Sequence, residues 1–134
     1  MPELRTIHHV SLTVSDLDRS VRWYQDVLGL TELMKEEHPD GSGYGIVLGK
    51  PDFSLCIGIH THETADGSRF AETRTGLDHF SFVVADRAEL AAWEKHLADK
   101  GVDHSPLNDQ GPYAVVVFRD PDNIQLEFIA LGPA

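Results

Sequence analysis

IHHVSL at residues 7–12 and LDHFSF at residues 77–82 share one pattern: an apolar run broken by a histidine and, two residues on, a serine. A fixed offset of 70 superimposes His9 on His79, Ser11 on Ser81, Val14 on Val84, Asp16 on Asp86 and Trp23 on Trp93. The same offset sets Pro51-Asp52 on Pro121-Asp122. Matches at corresponding points along the chain indicate two copies of one supersecondary unit.

Within each copy the elements follow one order. TIHHVSLTV alternates with period two and predicts a strand. Ser15 and Asp16 are capping residues ahead of a helical face carrying Leu17, Val21, Tyr24 and Leu28, with Gly29 placed to end the helix. Short strands are expected near 30–37, 43–49 and 53–60, separated by the turn-forming HPDGSG and GKPD. In the second copy LDHFSFVVA predicts a strand and residues 87–100 a helix carrying Leu90, Trp93 and Leu97, stopped by Gly101. Strands follow near 102–106, 112–119 and 123–131. The expectation is an α+β fold of two tandem βαβββ modules, 5–60 and 77–131, within one domain spanning 1–134. The polar stretch between them, 61–76, predicts an exposed connecting loop.

A chain of 134 residues is long enough for a real core. The net charge of −11 argues against nucleic acid or anionic lipid as a partner. The single Cys56 excludes an internal disulfide. MPELRTIHHV lacks a basic segment followed by a long apolar run, and no stretch is long and apolar enough for a bilayer, so a cytoplasmic location is expected.

Strand alternation sorts the side chains by face. Val10, Leu12 and Val14 point toward the helix, and His9, Ser11 and Thr13 the other way. Phe80, Phe82 and Val84 oppose His79 and Ser81. Ile124, Leu126 and Phe128 oppose Gln125 and Glu127. Phe53, Leu55 and Ile57 oppose Ser54, Cys56 and Gly58. The face away from the helices thus carries His, Ser, Cys, Gly and a lone Glu, the composition of a lined cavity. His9, His79 and Glu127 supply two imidazoles and one carboxylate, the parts of a facial triad for one divalent metal: Fe, Mn, Co, Ni or Zn. His8 has the opposite parity and ranks below His9. Ser11, His60, Tyr113, Arg119 and Gln125 share the cavity parity and are candidates to line it, whereas His38, His96 and His104 are expected to face solvent. Trp23 and Trp93 flank the helices as packing residues.

The motifs H9-x-S-L-x-V-x-D16, W23-Y24-x-x-V-L-G29, H79 after a glycine-bearing loop, and D120-P121-D122-N123-x-x-L-E127 resemble the vicinal oxygen chelate superfamily, the glyoxalase, bleomycin-resistance and dioxygenase group. The resemblance covers nearly the whole chain. It implies a curved mixed-sheet cup with helices outside, a metal held by His9, His79 and Glu127, and a homodimer. It also implies a fourth ligand, Glu or Gln, on the last strand of module one, where aligning SLCIG places Cys56. Of the family's activities, metal-dependent lyase or isomerase chemistry on a small substrate with vicinal oxygens is favoured, Glu127 doubling as a proton shuttle. The alternatives are a non-catalytic drug-sequestering protein and an Fe(II) dioxygenase. Val117, where extradiol dioxygenases of the group carry tyrosine, counts against the latter.

Overall fold

The computed structural model describes residues 1–134 and divides into two compact units, Met1–Ser68 and Arg69–Ala134. Each unit holds one four-stranded mixed sheet and one helix. In the first, β1 (Val10–Thr13) is followed by α1 (Leu17–Leu28), β2 (Thr31–Glu37), β3 (Gly43–Gly49) and β4 (Cys56–His62), in the order β1-β4-β3-β2. In the second, β5 (Phe80–Val84), α2 (Arg87–Asp99), β6 (Asn108–Asp109), β7 (Tyr113–Arg119) and β8 (Gln125–Leu131) give β5-β8-β7-β6. Each first strand pairs parallel with the last strand of its module, and the other pairs are antiparallel. This is the two-module βαβββ architecture expected from the repeat.

The helices begin and end where their capping residues dictate. Asp16 accepts from the backbone N–H of Arg19 at 3.0 Å, and Gly29, at φ 66°, donates its N–H to the Gln25 carbonyl. A side-chain acceptor at the first position satisfies an amide the helix leaves free, and a left-handed residue at the end is natural only for glycine. Asp86 caps α2 through Glu89 N–H, while the Glu89 carboxylate reaches back to accept from the N–H of Ala85, just ahead of the cap. Arg87 anchors the far edge of the second sheet by pairing with Asp109 and donating to the carbonyls of Gly111 and Gly132.

Each helix buries its apolar stripe on its own sheet. Tyr24 and Val27 of α1 lie against the side of sheet one that carries Leu12, Leu48, Ile57 and Ile59, all buried. Leu90 and Leu97 of α2 are fully buried with Val116, Phe118, Leu126 and Phe128. Trp93 lies tilted against Phe128 at 4.6 Å and Trp23 meets Tyr24 edge-on at 4.9 Å, so both tryptophans are packing residues. No helix is long and apolar enough to cross a membrane.

Several boundaries differ from expectation. The first strand of each module is shorter: His9 and His79 stand one residue ahead of β1 and β5. β4 runs to His62, past residue 60. Residues 102–106 form no strand; His104 makes one isolated bridge to Phe118, and the short edge strand sits later, at Asn108–Asp109. An edge this short has too few side chains for alternation to reveal it.

Candidate functional site

The parallel ladders decide which side chains share a row. In module two, Ser81 pairs with Glu127, and Val117 of β7 pairs with Glu127 on its other side. Ser81 Oγ donates to Glu127 Oε1 at 2.7 Å, so both side chains stand on the face turned from α2. Glu127 is half-buried, Ser81 exposed, and Glu127 Oε2 has no protein partner. His79 is exposed, and its Nδ1 lies 2.6 Å from Asp78 Oδ1. A carboxylate on Nδ1 fixes the imidazole with its proton there and leaves the Nε2 lone pair outward, as a metal-binding histidine requires.

One row further along, Gln125 links two charged groups. Its Nε2 donates to Asp78 Oδ1 at 3.0 Å and its Oε1 accepts from Arg119 Nη2 at 2.9 Å. Arg119 in turn grips Glu72 with two bonds of 2.9 Å. That fork, first through its hydrogen bonds, holds the Glu72 carboxyl down to about 2 and raises the Arg119 guanidinium. Arg119 and Gln125 therefore brace Asp78, which braces His79. Tyr113 lies at the other end of β7, exposed, and is not part of this chain of contacts.

In module one the same face carries His9, Ser11 and Thr13, all exposed. His9 Nδ1 lies 2.9 Å from Nδ1 of the exposed His8, leaving His9 Nε2 without a protein partner. His9, Ser11, Thr13, Glu36, His38, His60 and His62 line one open pocket of about 270 Å³. His38 does not face solvent as expected. It is half-buried, with Nε2 2.9 Å from His60 Nδ1, its ring stacked on His60 at 5.2 Å and tilted over His62 at 4.5 Å. Burial, then the neighbouring His38, with smaller effects of His62 and His9, holds the His60 imidazole below its usual range, against the pull of Glu36.

Two glycines make this cluster. A Cβ built on Gly45 would stand 2.6 Å from His60 Cε1 and Nδ1, and one on Gly58 would stand 2.8 Å from His60 Nε2 and 2.4 Å from Ser11 Oγ. The ring lies in the space their missing side chains leave. The signal was present in the sequence: GYG at 43–45 runs antiparallel to HTH at 60–62, pairing Gly43 with His62 and Gly45 with His60.

The fourth-ligand position also takes a definite place. The turn from Gly49 to Cys56 in module one holds one more residue than that from Arg119 to Gln125 in module two. The repeat offset therefore drops from 70 to 69 after the turn. Ser11 pairs with Gly58 as Ser81 pairs with Glu127, so Gly58 is the counterpart of Glu127. Cys56 lies two residues earlier, buried, its thiol directed at the Phe53 carbonyl at 3.7 Å.

No group of three or more His, Cys, Asp or Glu side chains is arranged to hold a metal ion together. Each module presents its donors in ones and twos. Their chemistry fits a divalent transition metal: imidazole nitrogens open at Nε2 and a carboxylate with one free oxygen.

The comparisons agree with this architecture. The family model described as the glyoxalase/bleomycin resistance protein/dioxygenase superfamily matches residues 6–128. A solved glyoxalase/bleomycin resistance protein/dioxygenase domain from Frankia superposes with a TM-score of 0.86 at 36% identity, covering 96% of this chain and 93% of that one. A lactoylglutathione lyase of Haemophilus influenzae is 33% identical over 92% of this chain and 90% of its own length. A putative ring-cleaving dioxygenase of Bacillus subtilis is 27% identical over 96% of this chain, which spans only 40% of that protein. A lactoylglutathione lyase of Arabidopsis thaliana is likewise matched over only 45% of its length. On these grounds the chain belongs to the glyoxalase/bleomycin resistance protein/dioxygenase superfamily.

Proposed function

We propose that this protein is a metal-dependent enzyme of the glyoxalase-like type, acting on a small substrate with two vicinal oxygens by lyase or isomerase chemistry. His9, His79 and Glu127 hold one divalent metal, and the chain forms a homodimer. The observation that carries this reading is the bracing of the module-two donors. His79 is fixed by Asp78 at 2.6 Å and Glu127 by Ser81 at 2.7 Å, each with its second donor atom left open. Donors oriented by their neighbours in this way are what a metal site needs and what a merely solvated face does not.

The metal, when bound, supplies Lewis acidity to the substrate oxygens. Ser81 keeps Glu127 oriented, and Oε2 of Glu127 is the atom available to accept and return a proton. Asp78, held by Gln125, keeps the proton of His79 on Nδ1. A dioxygenase reading is supported by the Bacillus relative. Against it stands Val117, a hydrocarbon paired directly with Glu127, which offers no hydroxyl to the site.

The test is elemental metal content of chelator-free protein reloaded in turn with Fe(II), Mn, Co, Ni and Zn, for wild type and Glu127→Ala. About one metal per chain in wild type and little in the variant is expected. A wild type that stays empty under every loading overturns the enzyme reading in favour of a small-molecule sequestering protein.

A further inference from the structure

Module one has no carboxylate where module two carries Glu127, but another donor lies within reach. Glu127 in module two has Gly58 as its counterpart, and glycine can ligate nothing through a side chain. The space above Gly58 is not empty, however. His60, two residues on along the same face, lays its ring across Gly45 and Gly58, and its Nε2 stands 2.8 Å from where a residue-58 Cβ would be. A carboxylate side chain at 58 would have to begin at that place. His60 also shares its pocket with His9.

The hydrogen bonds allow the ring tautomer that this role needs. Ser42 Oγ lies 3.4 Å from His38 Nδ1, and His38 Nε2 lies 2.9 Å from His60 Nδ1. With His38 donating through Nδ1 to the serine, its Nε2 accepts from His60 Nδ1–H. In that tautomer the Nε2 lone pair of His60 is free. This repeats with an imidazole what Asp78 does for His79: a neighbour on Nδ1, an open Nε2.

We propose that His60, through Nε2, is the module-one metal ligand that stands in for the carboxylate absent at Gly58, with His38 as its positioning residue. The proposal rests on the metal-site reading above and gives that site a third imidazole.

The experiment is a long-range proton–nitrogen correlation spectrum of the full chain, labelled with 15N-histidine, before and after loading with Zn(II). His9→Gln, His60→Gln and His79→Gln supply the assignments. Coordination moves a ring nitrogen's shift and locks its tautomer whether or not turnover occurs. Three zinc-bound Nε2 signals, from His9, His60 and His79, are expected, with His60 Nδ1 still protonated. His60→Gln is expected to lower Zn(II) affinity at least about tenfold in a chelator competition. Zinc on His9 and His79 with His60 unmoved overturns the inference and leaves the metal site standing. Zinc on His60 with His38 or His62, but not with His9, overturns it as well. Retention of no zinc and movement of no imidazole overturn both the inference and the reading beneath it.

Discussion

Ser81 Oγ donates to Glu127 Oε1 across two parallel strands at 2.7 Å, and their Cα atoms are direct register partners. Neither side chain has to leave its row to make the bond. Ser81→Ala removes the group that orients this carboxylate while leaving the carboxylate in place. Metal affinity is expected to fall about 10- to 100-fold, with thermal unfolding little changed because Ser81 is exposed. Competition against a fluorescent chelator, beside a melting curve, separates the two effects. Unchanged affinity would mean that Glu127 is not a ligand or needs no orienting.

Gly45 lies under the His60 ring, a Cβ there meeting it at 2.6 Å. Gly45→Ala is expected to push the ring off the sheet and break its contact with His38. Overpacking of this sort costs about 1–3 kcal/mol in urea unfolding. The His60 ring shifts should move in parallel, and stability with no change in those shifts would refute the packing described.

Asp120 is buried in the turn before β8, where its Oδ1 accepts from the backbone N–H of Asp122 at 2.8 Å and of Ile124 at 2.9 Å. Asp120→Ala leaves two buried amides without an acceptor. A loss of about 1–3 kcal/mol is expected in chemical denaturation. Because this turn launches the strand carrying Glu127, metal binding should weaken with it.

The Glu72 carboxyl sits at about 2 in the folded chain against an ordinary 4.5, owing first to its hydrogen bonds from Arg119. A group whose value falls on folding stabilises the fold fully above its unfolded value. That contribution drains away as pH drops from about 4.5 toward 2. Glu72→Gln is expected to remove this part of the acid sensitivity, so wild type and variant converge at low pH and separate at neutral pH. Because the Glu72–Arg119 pair is only partly buried, the separation should also shrink in high salt. Melting temperatures between pH 2 and 7 at two ionic strengths would show it.

The extents of the helices were legible in the sequence because their signals are local, although the buried face of α1 runs through Ser20 and Val27 rather than Val21 and Leu28. Asp16 and Asp86 cap, Gly29 and Gly101 stop, and periodic Leu, Tyr and Trp residues fill the interval. The faces of β1, β5 and β8 were equally legible, since period-two alternation survives wherever one side is buried; that of β4 was not, because Phe53, expected on the helix side, lies exposed in the turn before the strand, and Cys56 to Ile59 are all buried. The ends of β1 and β5 were not, because the residues of TIHH and LDH alternate acceptably without having a partner strand beside them. His38 was misplaced for a different reason. HPDG is turn chemistry and turn side chains usually meet solvent, but this one folds back onto His60, a contact 22 residues away in sequence. Only the paired glycines opposite HTH announced it. The offset of 70 carried the match correctly through both helices and failed by one after the 49–56 turn, where an extra residue leaves composition and alternation untouched.

That extra residue also says something about how such a molecule diverges after duplication. A single insertion inside a strand would turn every later side chain over and ruin the core. Here the insertion lies in a surface turn, and the parallel pairing with β1 resets the count before β4 begins. Ancestry can therefore be erased at one position of a duplicated sheet while the rest of the copy stays recognisable. Position 58 carries glycine where its register counterpart carries Glu127, and the His60 ring lies over that place.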